Sequence, residues 1–182
     1  MRAKTRRAVA VFLDRDGVLV RNRPDYVKGW GEVEIVPGAF AALARLRSAG
    51  AHILVATNQS AVGRGIVPRE TVDEIHERLA RIAEAHGAVI DGFLVCPHRP
   101  DEGCACRKPK AGLLLQAQRD RGLDLSTAYM VGDQASDALA ALAAGCTPIL
   151  VGDDAPNVAG SLRARTLGDA VDLILDESRS GS

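Results

Sequence analysis

Val9-Ala10-Val11-Phe12-Leu13-Asp14-Arg15-Asp16-Gly17 decides the reading of this chain. A short apolar run ends in two carboxylates spaced two apart, and the chain then turns at a glycine. Held at a strand end, Asp14 and Asp16 can both face a bound ion or a substrate. A carboxylate that attacks phosphorus needs an electrophile whose negative charge is masked, and a divalent metal supplies that masking. Mg²⁺ accepts oxygen ligands in octahedral geometry and keeps some water, so two or three carboxylate or carbonyl groups suffice. The same nine residues also read as a strand-to-turn connection with a solvated acid pair, and the rest of the chain must decide.

Outward from this run, apolar strand-like segments alternate with helical patterns, the signature of a parallel α/β sheet. A helix opens at Pro37, where a missing N–H costs nothing, and closes near Gly50, with Phe40, Leu43, Ala44 and Leu46 close to one face. Residues 52–56 form a strand that runs straight into Thr57-Asn58-Gln59-Ser60. A helix from Pro68 carries Val72, Ile75, Leu79 and Ile82 at helical spacing and stops at Gly87, while His76 and His86 read as helix-surface residues. Strands follow at 93–95, 128–131 and 148–151, helices at 113–118, 135–144 and 170–175, and a disordered tail is expected at 178–182. No repeat or linker divides the 182 residues, so one domain spanning 1–182 is expected.

Lys+Arg and Asp+Glu are both 23, which leaves no basic footprint for nucleic acid or an anionic membrane. Any phosphate site must therefore be built locally. The apolar stretch after the basic N-terminus Met1–Arg7 is too short for a signal-peptide core or a membrane span, and a cytoplasmic protein is expected. In that reducing setting the four cysteines are better candidates for metal than for disulfides.

Three further segments fall near predicted strand ends or ordered loops. The Thr57 hydroxyl and the amides of Asn58, Gln59 and Ser60, followed by Arg64, can hold phosphoryl oxygens. In Arg107-Lys108-Pro109-Lys110, a half-buried Lys108 is a natural counter-charge for a phosphoryl group, and Arg107 offers a fork for a phosphate or hydroxyls. In Gly132-Asp133-Gln134-Ala135-Ser136-Asp137, Asp133 can complete a metal site and Asp137 can support it, although Asp133 reads as readily as a helix cap. Each segment alone is weak. Their order, on the strand ends of an alternating α/β chain, is specific, because that edge is where open parallel sheets bind ligands.

The set Asp-x-Asp, Thr, Lys and Gly-Asp-x-x-x-Asp resembles the four motifs of the haloacid dehalogenase superfamily over nearly the whole chain. The resemblance implies a Rossmann-like fold, a parallel sheet flanked by helices. It implies Asp14 as nucleophile, Asp16 as general acid-base, Thr57 and Lys108 as holders of the phosphoryl group, and Mg²⁺ on Asp14, Asp133 and the main-chain carbonyl of Asp16. An aspartate at the second position suits an alcohol leaving group, hence phosphatase over dehalogenase.

Cys96-Pro97-His98 and Cys104-Ala105-Cys106 place four soft ligands within eleven positions, a closed Cys₃His set suited to structural Zn²⁺. The loop, about 96–107, ends where Arg107 and Lys108 begin, so the metal is expected to order them. Cys-x-His…Cys-x-Cys before Arg-Lys-Pro resembles one branch, the heptose 1,7-bisphosphate 7-phosphatases and the related histidinol phosphatases. Asp25-Tyr26-Val27 and the run from Thr57 to Arg64-Gly65 look more like the heptose enzymes. The implied reaction is release of the 7-phosphate, with histidinol phosphate as the alternative substrate and an inactive zinc-stabilised binding module as the other class. No stretch is long enough for a cap domain, so short loops select a small phosphorylated sugar through Asp25, Tyr26, Asn58, Gln59, Ser60, Arg64 and Arg107. Trp30 is expected to anchor its loop, and a monomer is expected.

Overall fold

The computed structural model describes residues 8–180, the last three in their backbone only. Met1–Arg7 and the final two residues of the expected tail lie outside that range. Six strands, β1 (Ala10–Leu13), β2 (His52–Asn58), β3 (Gly92–Cys96), β4 (Tyr129–Gly132), β5 (Thr147–Val151) and β6 (Leu162–Ala164), form one parallel sheet in the order β3-β2-β1-β4-β5-β6. The helices are α1 (Ala39–Ser48), α2 (Ser60–Gly63), α3 (Arg69–Ala85), α4 (Gly112–Arg121), α5 (Ala135–Ala144) and α6 (Leu167–Ser180). The chain moves outward from β1 to β3, then crosses back to β4 and moves outward again. That reversal opens a crevice at the carboxyl ends of β1 and β4.

Strand alternation splits the core in two. Val11, Leu13, Ile53 and Val55 point to a layer that includes Leu43 of α1, Leu79 of α3 and Val171 of α6. Ala10, Phe12, Leu54 and Ala56 point to the opposite layer, with Leu113 and Leu114 of α4 and Ala141 of α5. Both faces are covered, which is why the strands read as continuous apolar runs. Phe12 is fully buried, and Phe12→Ala would cost about 3–5 kcal/mol.

Several boundaries differ from the sequence reading. β2 runs through Thr57 and Asn58, so these residues end a strand rather than follow one. The one-turn α2 and the edge strand β6 were not anticipated; at three residues, Leu162-Arg163-Ala164 is too short for its alternation to stand out. α6 extends to Ser180, so residues 178–180 are helical instead of a disordered tail. Its start is fixed by Thr166 and Asp169, which exchange bonds: Thr166 N–H donates to Asp169 Oδ2 at 3.0 Å and Asp169 N–H to Thr166 Oγ1 at 3.1 Å. Among the described residues no insertion builds a layer over the crevice; the long connections are 14–38 and 97–111. No helix among them is long and apolar enough to cross a membrane.

His76 is also a correction. It is 4% exposed and stacks flat on Phe93, with ring centroids 4.3 Å apart. The buried stripe of α3 is Val72, Ile75, His76, Leu79 and Ala83, wide enough to take a residue four places from Val72 as well as the aliphatic ones. His86, by contrast, is exposed as expected. Burial, reinforced by the Arg15 and Arg69 charges, pushes the His76 imidazole down to about 3. The unfolded chain takes a proton near pH 6.5 that the folded chain refuses, so stability is full above that pH and falls as pH drops toward 3. Urea unfolding should therefore show His76→Phe losing about 2 kcal/mol less than the parent between pH 7 and pH 5. Equal losses would mean that His76 does not stay neutral.

Candidate active site

The crevice is built around a buried ammonium. Lys108 Nζ lies 3.1 Å from Asp14 Oδ1 and 2.6 Å from Asp137 Oδ1, and donates to the Ala56 carbonyl at 2.8 Å. Burial alone would depress this lysine, but Asp14 and Asp137 together raise it above its ordinary value, so it stays charged. Asn58 delivers it: Lys108 N–H donates to Asn58 Oδ1 and Asn58 Nδ2 to the Lys108 carbonyl, both at 3.1 Å. Asn58 lines the cleft as well, with its side-chain amide engaged by the lysine backbone.

Asp14 follows β1, and its amide donates to the Val131 carbonyl at 2.9 Å, which fixes it beside β4. Asp133 follows β4. Ligand oxygens of Asp14, Asp133 and Asp137 lie within 4.8 Å of one another. Burial raises the Asp133 carboxyl, and its Oδ1 is buried without a hydrogen-bond partner. An orphaned carboxylate oxygen beside a second carboxylate fits a hard divalent cation, so the residues present suit magnesium. Asp137 faces the lysine and accepts from Gln134 N–H at 3.0 Å, and burial pushes its carboxyl up to about 6 despite Lys108.

The other side of the crevice holds a network the sequence reading missed. Arg15, 1% exposed, forks onto Asp16: Nε donates to Oδ1 at 3.1 Å, and Nη2 reaches Oδ1 at 3.0 Å and Oδ2 at 2.9 Å. Gln59 accepts from Arg15 Nη2 at 3.0 Å and donates to Asp16 Oδ2 at 2.8 Å and Thr57 Oγ1 at 2.9 Å. The Gln59 side-chain amide is consumed internally, and its backbone N–H, expected to be free for a phosphoryl oxygen, goes to the Cys96 carbonyl. Thr57 is buried beneath it, and Ser60 opens α2 at the crevice wall.

Above these groups lies a cleft of about 360 Å³ whose mouth carries Asn22, Arg23, Tyr26, Arg64 and Arg107. Asp25 is absent from its walls; it is exposed and paired with Lys28 at 2.6 Å. Asn22 and Arg23 stand there instead, inside the loop flagged for selectivity but without a motif to single them out. Trp30 packs against the core beneath the Arg78 guanidinium, an anchor as expected.

Cys96, His98, Cys104 and Cys106 converge below the mouth. Cys96 Sγ is 3.7 Å from Cys104 Sγ and 3.3 Å from Cys106 Sγ, and His98 Nδ1 is 3.6 and 3.2 Å from Cys96 and Cys106. A tetrahedral zinc has sulfur–sulfur edges of about 3.8 Å and sulfur–nitrogen edges of about 3.6 Å, so the four groups fit such an ion with small adjustments. The loop is tied to the site on both sides. Arg107 Nη1 donates to the His98 carbonyl at 3.3 Å, and Gln59 N–H to the Cys96 carbonyl at 2.7 Å.

A family profile described as "HAD-hyrolase-like" matches residues 105–172. D-glycero-beta-D-manno-heptose-1,7-bisphosphate 7-phosphatase of Pseudomonas aeruginosa is 42% identical over 141 residues, 78% of this chain and 79% of that protein. The chain belongs to the heptose-bisphosphate phosphatase family of haloacid-dehalogenase-like hydrolases. It is, accordingly, a phosphoric monoester hydrolase. The family includes both anomeric labels, since the D-glycero-alpha-D-manno-heptose-1,7-bisphosphate 7-phosphatase of Mycobacterium bovis is 40% identical over 149 residues, 78% of each chain. Among solved structures, the D,D-heptose 1,7-bisphosphate phosphatase of B. bronchiseptica complexed with magnesium and phosphate superimposes with a TM-score of 0.88 at 36% identity, covering 93% of this chain and 99% of its own.

Gly17 ties the loop to this geometry. Its φ is +88°, and a Cβ there would stand 2.2 Å from Asp133 Oδ2. Gly17→Ala should lose about 1–2 kcal/mol in urea unfolding from the left-handed backbone alone, and turnover should fall further because Asp133 must move. Retained stability and activity would contradict this account of the turn.

Proposed function

We propose that this chain acts as a single phosphatase domain that removes the 7-phosphate of D-glycero-D-manno-heptose 1,7-bisphosphate through a phosphoryl-aspartate on Asp14. The observation that carries the proposal is the Lys108 ammonium, 3.1 Å from the Asp14 carboxylate at the strand end. A carboxylate oxygen held beside a buried cation is placed to attack a phosphoryl group whose charge the same cation offsets. Asp14, Asp133 and the Asp16 carbonyl would hold magnesium, which when bound masks phosphoryl charge and orients the group for in-line attack.

In the first step an Asp14 oxygen bonds to phosphorus while the bond to the sugar oxygen breaks. Asp16, protonated, gives its proton to that oxygen, releasing an alcohol. The Asp16 carboxylate then takes a proton from water, whose oxygen attacks phosphorus. The bond to Asp14 breaks, inorganic phosphate leaves and both aspartates return to their starting states. Lys108 and the Thr57 hydroxyl steady the phosphoryl oxygens, and losing one such donor costs about 10²–10³ in rate. Arg23, Arg64 and Arg107 at the mouth are placed for a second anionic group, which a bisphosphate has and histidinol phosphate lacks.

Phosphate release with Mg²⁺ from both anomers of the heptose bisphosphate, beside histidinol phosphate, tests this reading. One phosphate per heptose should appear, leaving the 1-phosphate, and Asp14→Asn should lose at least ~10³-fold. Preference for histidinol phosphate would overturn the substrate, and turnover by Asp14→Asn would overturn the mechanism. We further propose that Zn²⁺ occupies the Cys₃His set. Metal analysis should find about one zinc per chain, and Cys106→Ser should lose it together with much of the turnover, through Arg107 and Lys108. A zinc-free protein with full activity would contradict that assignment.

A further inference from the structure

Arg15 is the largest fully buried side chain among the described residues, and the reaction written above does not use it. Neighbours in an extended chain point to opposite sides, so Arg15 and Asp16 should not face one another. Here the chain doubles back instead: the Arg15 carbonyl accepts from Leu19 and Val20 N–H at 2.9 Å, and Gly17 N–H donates to the Val20 carbonyl at 2.7 Å. The two side chains therefore share one side, and the guanidinium fork meets the carboxylate. Gln59 closes the ring, and its orientation is dictated. Turned over, its Nε2 would meet Arg15 Nη2, donor against donor.

From this ring we propose that Arg15 and Gln59 are positioning residues that hold the Asp16 carboxyl in place for proton transfer. The proposal rests on the reading of Asp16 as the acid-base group. Asp16 needs such support because its side chain is 22% exposed at a crevice that no insertion among the described residues covers. Four contacts fill the carboxylate's acceptor positions, and one of them is shared, since Arg15 Nη2 reaches both oxygens. Giving up the Nη2–Oδ2 contact frees one acceptor on Oδ2 for the proton in transit. The Nε–Oδ1 and Gln59–Oδ2 bonds stay, so the carboxyl gains and loses its proton without leaving its place. Lysine at position 15 would keep the charge but not the planar fork.

Arg15→Lys and Gln59→Leu, with folding checked by thermal melts, are compared on an alkyl phosphate (glycerol phosphate, and the heptose bisphosphate) and on 4-nitrophenyl phosphate. A nitrophenolate leaves without much acid assistance, whereas an alkoxide does not. The clamp predicts that kcat on the alkyl esters falls on the order of 10–100-fold with KM little changed. On the aryl ester a burst of about one nitrophenolate per site should survive, because Asp14 still attacks while the second step slows. Loss of the aryl-ester burst along with alkyl-ester turnover, an effect confined to KM, or full rescue by Lys would overturn the clamp. If Arg15→Lys does not fold, Gln59→Leu, which changes no charge, decides alone. Inertness of the parent toward the heptose bisphosphate, with the same split on glycerol phosphate, would remove the substrate reading and keep the clamp. A parent enzyme with no turnover on any phosphate ester would overturn both.

Discussion

The Lys108 ammonium is the contact on which the rest of the site depends. Removing such a charge from water costs several kcal/mol unless oxygen partners replace the hydration shell. Here the partners come from three elements: Asp14 after β1, the Ala56 carbonyl within β2, and Asp137 on α5. The lysine itself arrives from the loop after β3, so one nitrogen binds together segments far apart in sequence. Taking away a single partner would leave a buried charge unmatched. The strand order makes that convergence possible, because only at the β1–β4 reversal do these carboxyl ends surround one cavity.

On the cleft side of Lys108, two loops without a covering layer set the shape of the mouth. The Cys₃His loop is short of apolar residues and cannot build a core of its own, so four converging ligands take that role and hold Arg107 through the His98 carbonyl. Its main chain also ties down both ends of the one-turn α2, accepting from Gln59 and Gly63 N–H. Ordering of the Cys₃His loop, Asn58 and Lys108 is therefore one structural event. The opposite loop, with Asn22, Arg23 and Tyr26, hangs from Trp30 and its contacts with the core.

Much of this was legible from residues alone. Asp14, Asp133 and Lys108 lie near predicted strand ends or after a ligand cluster, positions that packing does not explain. The strands themselves stand out because both sheet faces are buried. What stayed hidden was what depends on a turn or on a partner distant in the chain. Arg15 looks like a solvated residue between two acids until the loop folds back and buries it. Asn58 and Gln59 look like free loop residues, yet β2 runs through Asn58, and Lys108, Arg15 and Asp16 engage their side chains. His76 carries no apolar label although its helical position points inward, and β6 is too short for its Leu-Arg-Ala alternation to mark a strand. Asp25 sits in the right loop, but the loop turns it toward Lys28 and presents Arg23 to the cleft.

The central claim is that the phosphoryl group is carried, covalently, on Asp14. Asp16→Asn removes the group that must activate water, so the phosphoryl-enzyme should accumulate during a single turnover with 4-nitrophenyl phosphate and Mg²⁺, because a nitrophenolate leaves without acid assistance. Acid quenching followed by borohydride reduction converts an aspartyl phosphate to homoserine, which peptide mass analysis locates. The account predicts homoserine at position 14 and nowhere else, absent when substrate is omitted. Release of phosphate at the normal rate with no modified residue, or modification at another aspartate, would contradict it.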